Sequence, residues 1–276
     1  MAATPPAQKT NGAASSGLVL IMLNERHAKL LEDRGFDIEL LDKLGVESST
    51  TLGPDTIAIP IYEGGIKINT KYRTIAGEKL FSQEPGCKPV FWNVDCLTDE
   101  TLKDQPLIIT EGELDAIAAI QSGFGRVLSV PNGAPRKEGQ HAGDRYKFIE
   151  NAPKALNECR EIILAIDADL PGTVLLNGLA LRLGRVRCRW VKYPPECKDL
   201  ADTLRLYCHR GVVETLNSAQ WFEIDGLYRM ADLPPLPELT PLDCGFPELK
   251  DHWKLREGDL ALCRACQAQA KPQSST

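Results

Sequence analysis

The sequence predicts an α/β protein in which a parallel sheet with flanking helices is preceded by a small, basic, mixed α+β subdomain. Two observations lead to this fold class. From Pro106 onward, short apolar runs alternate with helix-like segments, as parallel strands joined by helical crossovers do. Between residues 56 and 94, apolar and polar residues alternate instead, which is typical of a half-buried hairpin.

The predicted elements divide the chain into four regions. Residues 1–17 are low in complexity, and we expect a disordered tail. Residues 18–98 hold two short helices, in LNERHAKLLEDRGFDIELLDKLGV, and then a β hairpin with its turn at Gly64-Gly65, continued by KPVFWNV. Residues 99–230 hold the sheet, with strands at 107–110, 127–130, 162–166 and 186–191 and helices at 113–121, 144–158, 171–183 and 200–210. Residues 231–276 begin as a proline-rich linker.

Composition limits the classes of function. The chain has 276 residues, 43% of them hydrophobic, which is enough for one large domain or two small ones. A net charge of −6 argues against a protein that coats nucleic acid by bulk charge, although it leaves room for a local basic groove. Nine cysteines without paired spacing and without a signal peptide indicate reduced thiols, and we expect a cytoplasmic protein. The longest apolar run, six residues from Leu18 to Leu23, is too short to cross a membrane.

Acidic residues follow two of the predicted strands. Glu111, Glu113 and Asp115 come after the first strand, and Asp167 and Asp169 come after the third. Because the carboxyl ends of parallel strands meet in one crevice, these acids are expected to converge. Clustered carboxylates repel one another unless a cation lies between them, and Mg²⁺ prefers oxygen ligands together with water and phosphate. The pattern therefore favours phosphoryl transfer on nucleotides or nucleic acid.

Each acidic cluster also has an interpretation without function. Thr110 would cap the following helix while the acids complement its dipole, with Glu113 the strongest case for this helix-start role. Asp169 would be a helix N-cap ahead of Pro171. The occurrence of both clusters at equivalent strand ends favours a shared site.

Other residues are candidates by position. Asn132 and Gly133 follow the second strand in SVPNGAP, where backbone N–H groups would be available to phosphate, and an ordinary Asn-Gly turn is the alternative. In KDLADTL, Lys198 is brought towards the site together with Asp199 and Asp202, unless this is only a charged helix start.

The N-terminal subdomain supplies the basic candidates. Cations beside aromatic residues suit a groove for single-stranded nucleic acid or nucleoside triphosphates, and a solvated lysine face is the alternative. The cations are Lys67, Lys71, Arg73 and Lys79, with Tyr72, Phe81, Phe91 and Trp92 nearby.

Two motifs are missing or incomplete. The sequence contains no G-x-x-x-x-G-K-[ST] phosphate loop. Cys263-x-x-Cys266 has no second ligand pair nearby, so no zinc is expected.

Four motifs in this order, ITEGELDA, SVPNGA, LAIDADLPG and KDLADTL, resemble the Toprim domain of primases, and most of all the phage-type bifunctional primase-helicases and their Twinkle-like relatives. The resemblance runs from about residue 23 to residue 221. It implies a Toprim-like fold, with Glu111 as general acid/base and Asp167 and Asp169 as Mg²⁺ ligands. It also implies that Glu111 and Asp115 belong to the metal site, and that Lys71 and Lys79 contact nucleotides or template.

The sequence differs from the pattern of that family at both ends of the chain. GFPELKDHWKLREGDLAL is similar to the start of the family's helicase domain, but the sequence then continues as CRACQAQAKPQSST and stops. We interpret this as truncation before the helicase ATP-binding loop and expect no helicase or ATPase activity. The amino-terminal zinc module of the phage enzymes is also missing.

The leading hypothesis is a DNA primase core that makes RNA primers on single-stranded DNA by Mg²⁺-dependent nucleotidyl transfer, with Mn²⁺ as a substitute metal. Its expected partners are single-stranded DNA, nucleoside triphosphates and a replicative helicase domain or subunit, with no membrane. Two alternatives stay open: a metal-dependent Toprim nuclease, and an inactive fragment that binds single-stranded DNA.

Overall fold

A computed structural model describes residues 22–133 and 144–223, together with the short segments 242–243, 247–249 and 254–255. The chain divides into two compact units, Met1–Ile224 and Asp225–Thr276. In the second unit, Leu242–Asp243 pairs antiparallel with Lys254–Leu255. The predicted tail at 1–17, most of the predicted linker and the Cys263-x-x-Cys266 motif lie outside the described residues.

The first unit begins with two helices and a four-stranded antiparallel sheet in the order β1-β2-β3-β4. Asn24 and Asp37 cap the two helices, since each side chain accepts hydrogen bonds from backbone N–H groups of the first turn. The hairpin turn at Gly64-Gly65 is confirmed, and both glycines have positive φ. The elements are α1 Glu25–Glu32, α2 Ile38–Lys43, β1 Glu47–Ser49, β2 Thr56–Glu63, β3 Ile66–Thr74 and β4 Phe81–Gln83.

The second sheet of this unit has five strands in the order β6-β5-β7-β8-β9. Its first four strands are parallel, and β9 is antiparallel to β8. The predicted fold class is therefore confirmed, with one antiparallel edge strand added. The strands are β5 Leu107–Thr110, β6 Val127–Ser129, β7 Ile162–Ala165, β8 Cys188–Trp190 and β9 Gln220–Trp221. The helices are α3 Glu113–Gln121, α4 Lys147–Glu150, α5 Ala155–Glu158, α6 Leu170–Leu183 and α7 Leu200–Asn217, the last one kinked at Cys208.

The two faces of the five-stranded sheet are packed in separate cores. Alternate residues of β5 point to opposite sides, as period-two side chains must: Ile108 enters one core, while Leu107 and Ile109 enter the other. The core around Ile108 also contains apolar residues of the N-terminal helices and sheet, among them Leu31 and Ile57. The small antiparallel sheet and one face of the parallel sheet thus share one apolar interior.

Three predicted elements differ in the structure. The predicted helix at 144–158 is replaced by two short helices. Pro153 lies between them and has no N–H with which to continue the hydrogen bonds of a helix. The predicted strand at 186–191 starts only at Cys188, since residues Arg185–Arg187 form a 3₁₀ turn. That turn is held by the Arg187 Nη1, which donates to three backbone carbonyls. Finally, the KPVFWNV segment forms no regular strand, only an isolated bridge between Trp92 and Ser129.

Within the described residues, no helix is long and apolar enough to cross a membrane. The six cysteines described are all free thiols.

Candidate active site

The two acidic clusters lie at one edge of the parallel sheet. Thr110 and Ala165 are register partners at the carboxyl ends of β5 and β7, so Glu111 and Asp167 follow neighbouring strand ends, one and two residues beyond this pair. Asp167 is buried, with 8% of its surface exposed. Asp169 is exposed and caps α6, with its Oδ1 accepting from the Gly172 N–H at 2.7 Å. The N-cap interpretation of Asp169 is thereby confirmed, although its side chain also reaches the site.

The other alternative interpretation from the sequence, in which Thr110 caps the following helix, is wrong. Thr110 does not cap α3, whose N-cap is Gly112 without a side-chain hydrogen bond. Instead, the Thr110 hydroxyl lies within donating distance of the carbonyls of Gly112 (3.0 Å) and Leu128 (3.2 Å), which fastens the turn that carries Glu111.

Two glycines allow close approach at this edge. A Cβ on Gly172 would overlap the backbone carbonyl of Asp167, so only glycine lets the start of α6 pack against the end of β7. A Cβ on Gly112 would lie 2.7 Å from the Asp115 Oδ2, inside van der Waals contact. The glycines of both motifs therefore place the carboxylates.

All the clustered acids line one cleft of about 320 Å³, opposite basic residues of the N-terminal subdomain. This volume is at the lower end of the range for small-molecule sites. The acidic lining residues are Glu111, Glu113, Asp115, Asp167, Asp169 and Asp199; the basic ones are Arg34, Lys71, Arg73 and Lys79; Leu80, Phe81, Asn132 and Gly133 also line the cleft.

Crowding and burial act strongly on two of these acids. Burial, followed by the charges of Asp115, Glu111 and Asp199, raises the pKa of Asp167 to about 8. Burial and the charge of Asp199 raise the pKa of Asp115 to about 7, although its Oδ1 accepts a hydrogen bond from the Ala201 N–H at 3.0 Å. A group of carboxylates that resists ionisation is one that a bound cation would stabilise.

The basic side of the cleft contains two kinds of residue. Lys71 is buried and pairs with Glu113 at 2.6 Å, while its Nζ also donates to the Pro131 carbonyl at 3.1 Å. Arg73 and Lys79 make no ion pair with any residue that the structure describes, although both face the acids. Glu113 therefore does more than complement the dipole at the start of α3, because its carboxylate pairs with a buried lysine on β3.

Several predicted binding residues are placed elsewhere. Lys67 lies at the turn end of the hairpin, exposed and outside the cleft. Lys198 is also exposed and outside it; only its backbone carbonyl takes part, accepting from the Ala168 N–H at 2.8 Å. Phe91 and Trp92 are core residues with 0% and 4% exposure, so they offer no surface for a base. Asn132, by contrast, lines the cleft as predicted.

One charged residue of the cleft, Arg34, was not assigned from the sequence, and neither was Tyr193, whose buried hydroxyl lies outside the lining of the cleft. Arg34 comes from the turn between α1 and α2, a position with no motif to mark it. Asp199, which the sequence offered as a candidate together with Lys198 and Asp202, caps α7 and lines the cleft. Tyr193 lies in the loop between β8 and α7, with a buried hydroxyl that has no hydrogen-bond partner among the described residues. Burial and the surrounding carboxylates raise the pKa of Tyr193 well above its usual value.

The donor set suits a hard divalent cation. In the described part of the chain, no group of three His, Cys, Asp or Glu side chains lies closely enough together to hold a metal ion. However, the acids in the cleft are all-oxygen donors whose mutual repulsion a cation would relieve, which fits Mg²⁺ or Mn²⁺ better than a thiolate-seeking metal.

Comparisons with known proteins agree with this geometry. Residues 105–189 match the Toprim domain family. The similarity of the chain to Toprim-domain primases is likewise confirmed by two relatives from Arabidopsis thaliana. The "Twinkle homolog protein, chloroplastic/mitochondrial" is 30% identical over 187 residues, which is 64% of this chain and 26% of that protein. The "Primase homolog protein" is 35% identical over 149 residues, 52% of this chain and 42% of the relative. The chain thus spans less than half the length of either relative.

Solved structures show the same fold. The zinc-binding and RNA polymerase domains of the Aquifex aeolicus primase superpose with a TM-score of 0.52 at 15% identity, covering 72% of this chain and 57% of that one. The primase domains of bacteriophage T7, in a structure with an RNA/DNA hybrid and dTTP, give a TM-score of 0.52 at 20% identity, covering 69% of this chain and 91% of that one.

Proposed function

We propose that this chain is a DNA primase core that joins ribonucleotides into primers on single-stranded DNA in a divalent-metal-dependent reaction. The observation that carries the proposal is the cleft itself, in which carboxylates of the Toprim sheet face Arg34, Arg73 and Lys79 without forming ion pairs with them. The acidic and basic side chains lie on opposite sides of a cleft of about 320 Å³. This space leaves room for a ligand that carries both a cation and phosphates.

The metal would be held by the acids at the sheet edge. Asp167 and Asp169 are the principal ligands proposed, with Glu111 and Asp115 completing the set. Mg²⁺, or Mn²⁺ in its place, would orient the triphosphate and offset the negative charge that develops on it. Asp115 is fixed for this purpose by its hydrogen bond from the Ala201 N–H, which ties the acid on α3 to the start of α7.

Glu111 is the proposed general base. Its side chain lies beside Gly133, where a Cβ would be 3.6 Å from Oε1, and both residues line the cleft. The Glu111 carboxylate would accept the proton of the attacking 3′-hydroxyl, an effect expected from its position more than from its basicity.

Arg73, Lys79 and Asn132 are the proposed contacts to nucleotide and template. We propose a different role for Lys71, because its ammonium group already forms an ion pair with Glu113. Lys71 would then shape this wall of the cleft by joining β3 to α3, while the unpaired cations meet the substrate.

The test is primer synthesis by the purified chain on single-stranded templates, with ribonucleotides and Mg²⁺ or Mn²⁺. We expect oligoribonucleotides from the wild type and a loss of about a hundredfold or more in Glu111→Gln and Asp167→Asn. Glu214→Gln is the matched control, since Glu214 is exposed on α7 and outside the cleft.

A wild type that makes no product on varied templates, alone and with a helicase-domain partner, would contradict the proposal. Metal-dependent degradation of nucleic acid that disappears in Asp167→Asn would identify a nuclease instead. Salt-sensitive DNA binding without turnover would identify a binding fragment. The helicase partner and the cytoplasmic location stay predictions.

A further inference from the structure

Tyr193 carries a buried polar group that the fold does not use. Its hydroxyl oxygen is shielded from solvent and has no hydrogen-bond partner among the described residues. The ring packs against the apolar core that the two sheets share, a contact that phenylalanine would make as well. A hydroxyl that gives up water without gaining another partner destabilises a fold, so this one calls for a role beyond packing.

The parallel sheet brings Tyr193 to the edge where Asp167 lies. Ala165 and Val191 follow the last register pair of β7 and β8, and both side chains enter the core shared with the N-terminal subdomain. Asp167 and Tyr193 come two residues further along each chain. Because side chains alternate along an extended chain, both leave the sheet edge on that same side, and the packing of the Tyr193 ring against this core agrees.

The surroundings of the Tyr193 hydroxyl make it a hydrogen-bond donor to carboxylates. Its pKa is raised well above the usual value by burial and then by the charges of Asp115 and the neighbouring acids, so the hydroxyl keeps its proton at working pH. Tyr193 is not among the residues that line the cleft. The groups that its hydroxyl can serve are therefore the acids and not a substrate in the cleft.

The acids of the cleft would have to move slightly to bind an ion. Among the described residues, no three acidic, histidine or cysteine side chains lie closely enough together to hold one. Asp115 is already oriented, since its Oδ1 accepts a hydrogen bond from the Ala201 N–H at 3.0 Å. A carboxylate that coordinates a cation usually accepts a hydrogen bond from a second group, which fixes its orientation. A neutral buried hydroxyl beside Asp167 is suited to be that group.

We propose that Tyr193 is a positioning residue of the cation site, whose hydroxyl donates a hydrogen bond to the carboxylate of Asp167 when this acid holds the divalent cation. The inference rests on the proposed function for the presence of the cation, and adds a residue that neither lines the cleft nor coordinates the ion. Asp167 is the acceptor assigned because it leaves the neighbouring strand at the same level and on the same face. Tyr193 would orient Asp167 as the Ala201 N–H orients Asp115.

The experiment is Mn²⁺ binding to the full chain without nucleotide or DNA, followed by the electron paramagnetic resonance signal of the free ion. Tyr193→Phe keeps the ring and removes only the hydroxyl, and we expect it to weaken Mn²⁺ binding about tenfold. Tyr207→Phe is the matched control, because Tyr207 is exposed on α7, lies outside the cleft and donates its hydroxyl to the Pro195 carbonyl at 3.3 Å. The control should bind Mn²⁺ as tightly as wild type.

Urea unfolding in EDTA separates this role from a purely structural one. Without metal, Tyr193→Phe should be at least as stable as wild type, because the hydroxyl has no partner among the described residues. Unchanged Mn²⁺ affinity in Tyr193→Phe would overturn the assignment, and so would an equal loss of affinity in Tyr207→Phe. Weaker binding together with lower stability in EDTA would also overturn it, since a damaged fold would explain both.

The binding assay contains no nucleotide, so its result does not depend on primer synthesis. Mn²⁺ binding that depends on Tyr193, in a chain that makes no primers, would contradict the proposed primase function and support the positioning role. Primer synthesis by a chain whose Tyr193→Phe variant binds Mn²⁺ as tightly as wild type would do the reverse. A wild type that binds no Mn²⁺ would overturn the positioning role whatever its activity.

Discussion

The ion pair between Lys71 and Glu113 gives the sharpest prediction about stability. The two groups are 2.6 Å apart, with side-chain exposures of 8% and 1%. At an effective dielectric constant of about 20, their attraction is about 6 kcal/mol, most of which offsets the cost of taking both charges out of water. Breaking the pair leaves one buried charge uncompensated. We therefore expect Lys71→Met or Glu113→Leu to lower the free energy of unfolding by about 3–5 kcal/mol.

The double variant Lys71→Met/Glu113→Leu should behave differently. With both charges gone, neither desolvation cost remains, so most of the stability should return, with a coupling energy of about 2 kcal/mol or more. The assay is urea unfolding followed by circular dichroism, with midpoint and slope compared across the cycle. The exposed pair Arg210–Glu214 is the control, and its removal should change little.

The same cycle decides what Lys71 does. If its role is to join β3 to α3, the double variant should recover primer synthesis together with stability. Single variants that cost less than about 1 kcal/mol, or a double variant equal to the sum of the singles, would refute the reasoning. If stability is recovered but primer synthesis is still lost, Lys71 would instead be a residue that contacts the substrate.

Three further predictions concern the site. Gly172→Ala should lower the free energy of unfolding by about 1–3 kcal/mol in urea titrations, because its Cβ overlaps the Asp167 carbonyl; an unchanged midpoint would contradict the packing. In EDTA, Asp167→Asn should be more stable than wild type above about pH 8, where the folded pKa of about 8 makes ionisation costly. This advantage should shrink as pH falls and vanish near the unfolded pKa of about 4, so an advantage independent of pH in thermal melts would refute it. Tyr193→Phe should leave stability equal or raise it by about 1 kcal/mol, since it removes a buried hydroxyl without a described partner; clear destabilisation would reveal one.

The acidic edge of the site could be predicted from sequence because its information is local. An apolar run that stops at Glu111, and another that stops before Asp167, both specify strand ends, and parallel strands bring their carboxyl ends together whatever lies between. The same reasoning gave Asn132. Each of these residues is placed by its own strand, so no knowledge of distant packing was required.

The basic wall could not be predicted in the same way. Lys71 and Lys67 are both cations on β3, but the pairing of Lys71 with Glu113, 42 positions away, separates a buried residue from an exposed one. Arg34 reaches the cleft because Gln121 and α7 hold its turn, and nothing in the neighbouring sequence indicates this. In the predicted strand at 186–191, side chain-to-carbonyl bonds from Arg187 replaced the ladder expected from its alternation.

The shared interior has a consequence for how the protein can be taken apart. Leu31 and Ile57 from the first hundred residues and Ile108 from the Toprim sheet lie in the same apolar cluster. A fragment that starts near residue 99 would expose its half of that cluster to water and should aggregate. For the same reason, both walls of the cleft rest on one continuous apolar core. Because a packed core resists rearrangement, we expect selection among substrates to depend on the side chains of the cleft more than on closure of its walls.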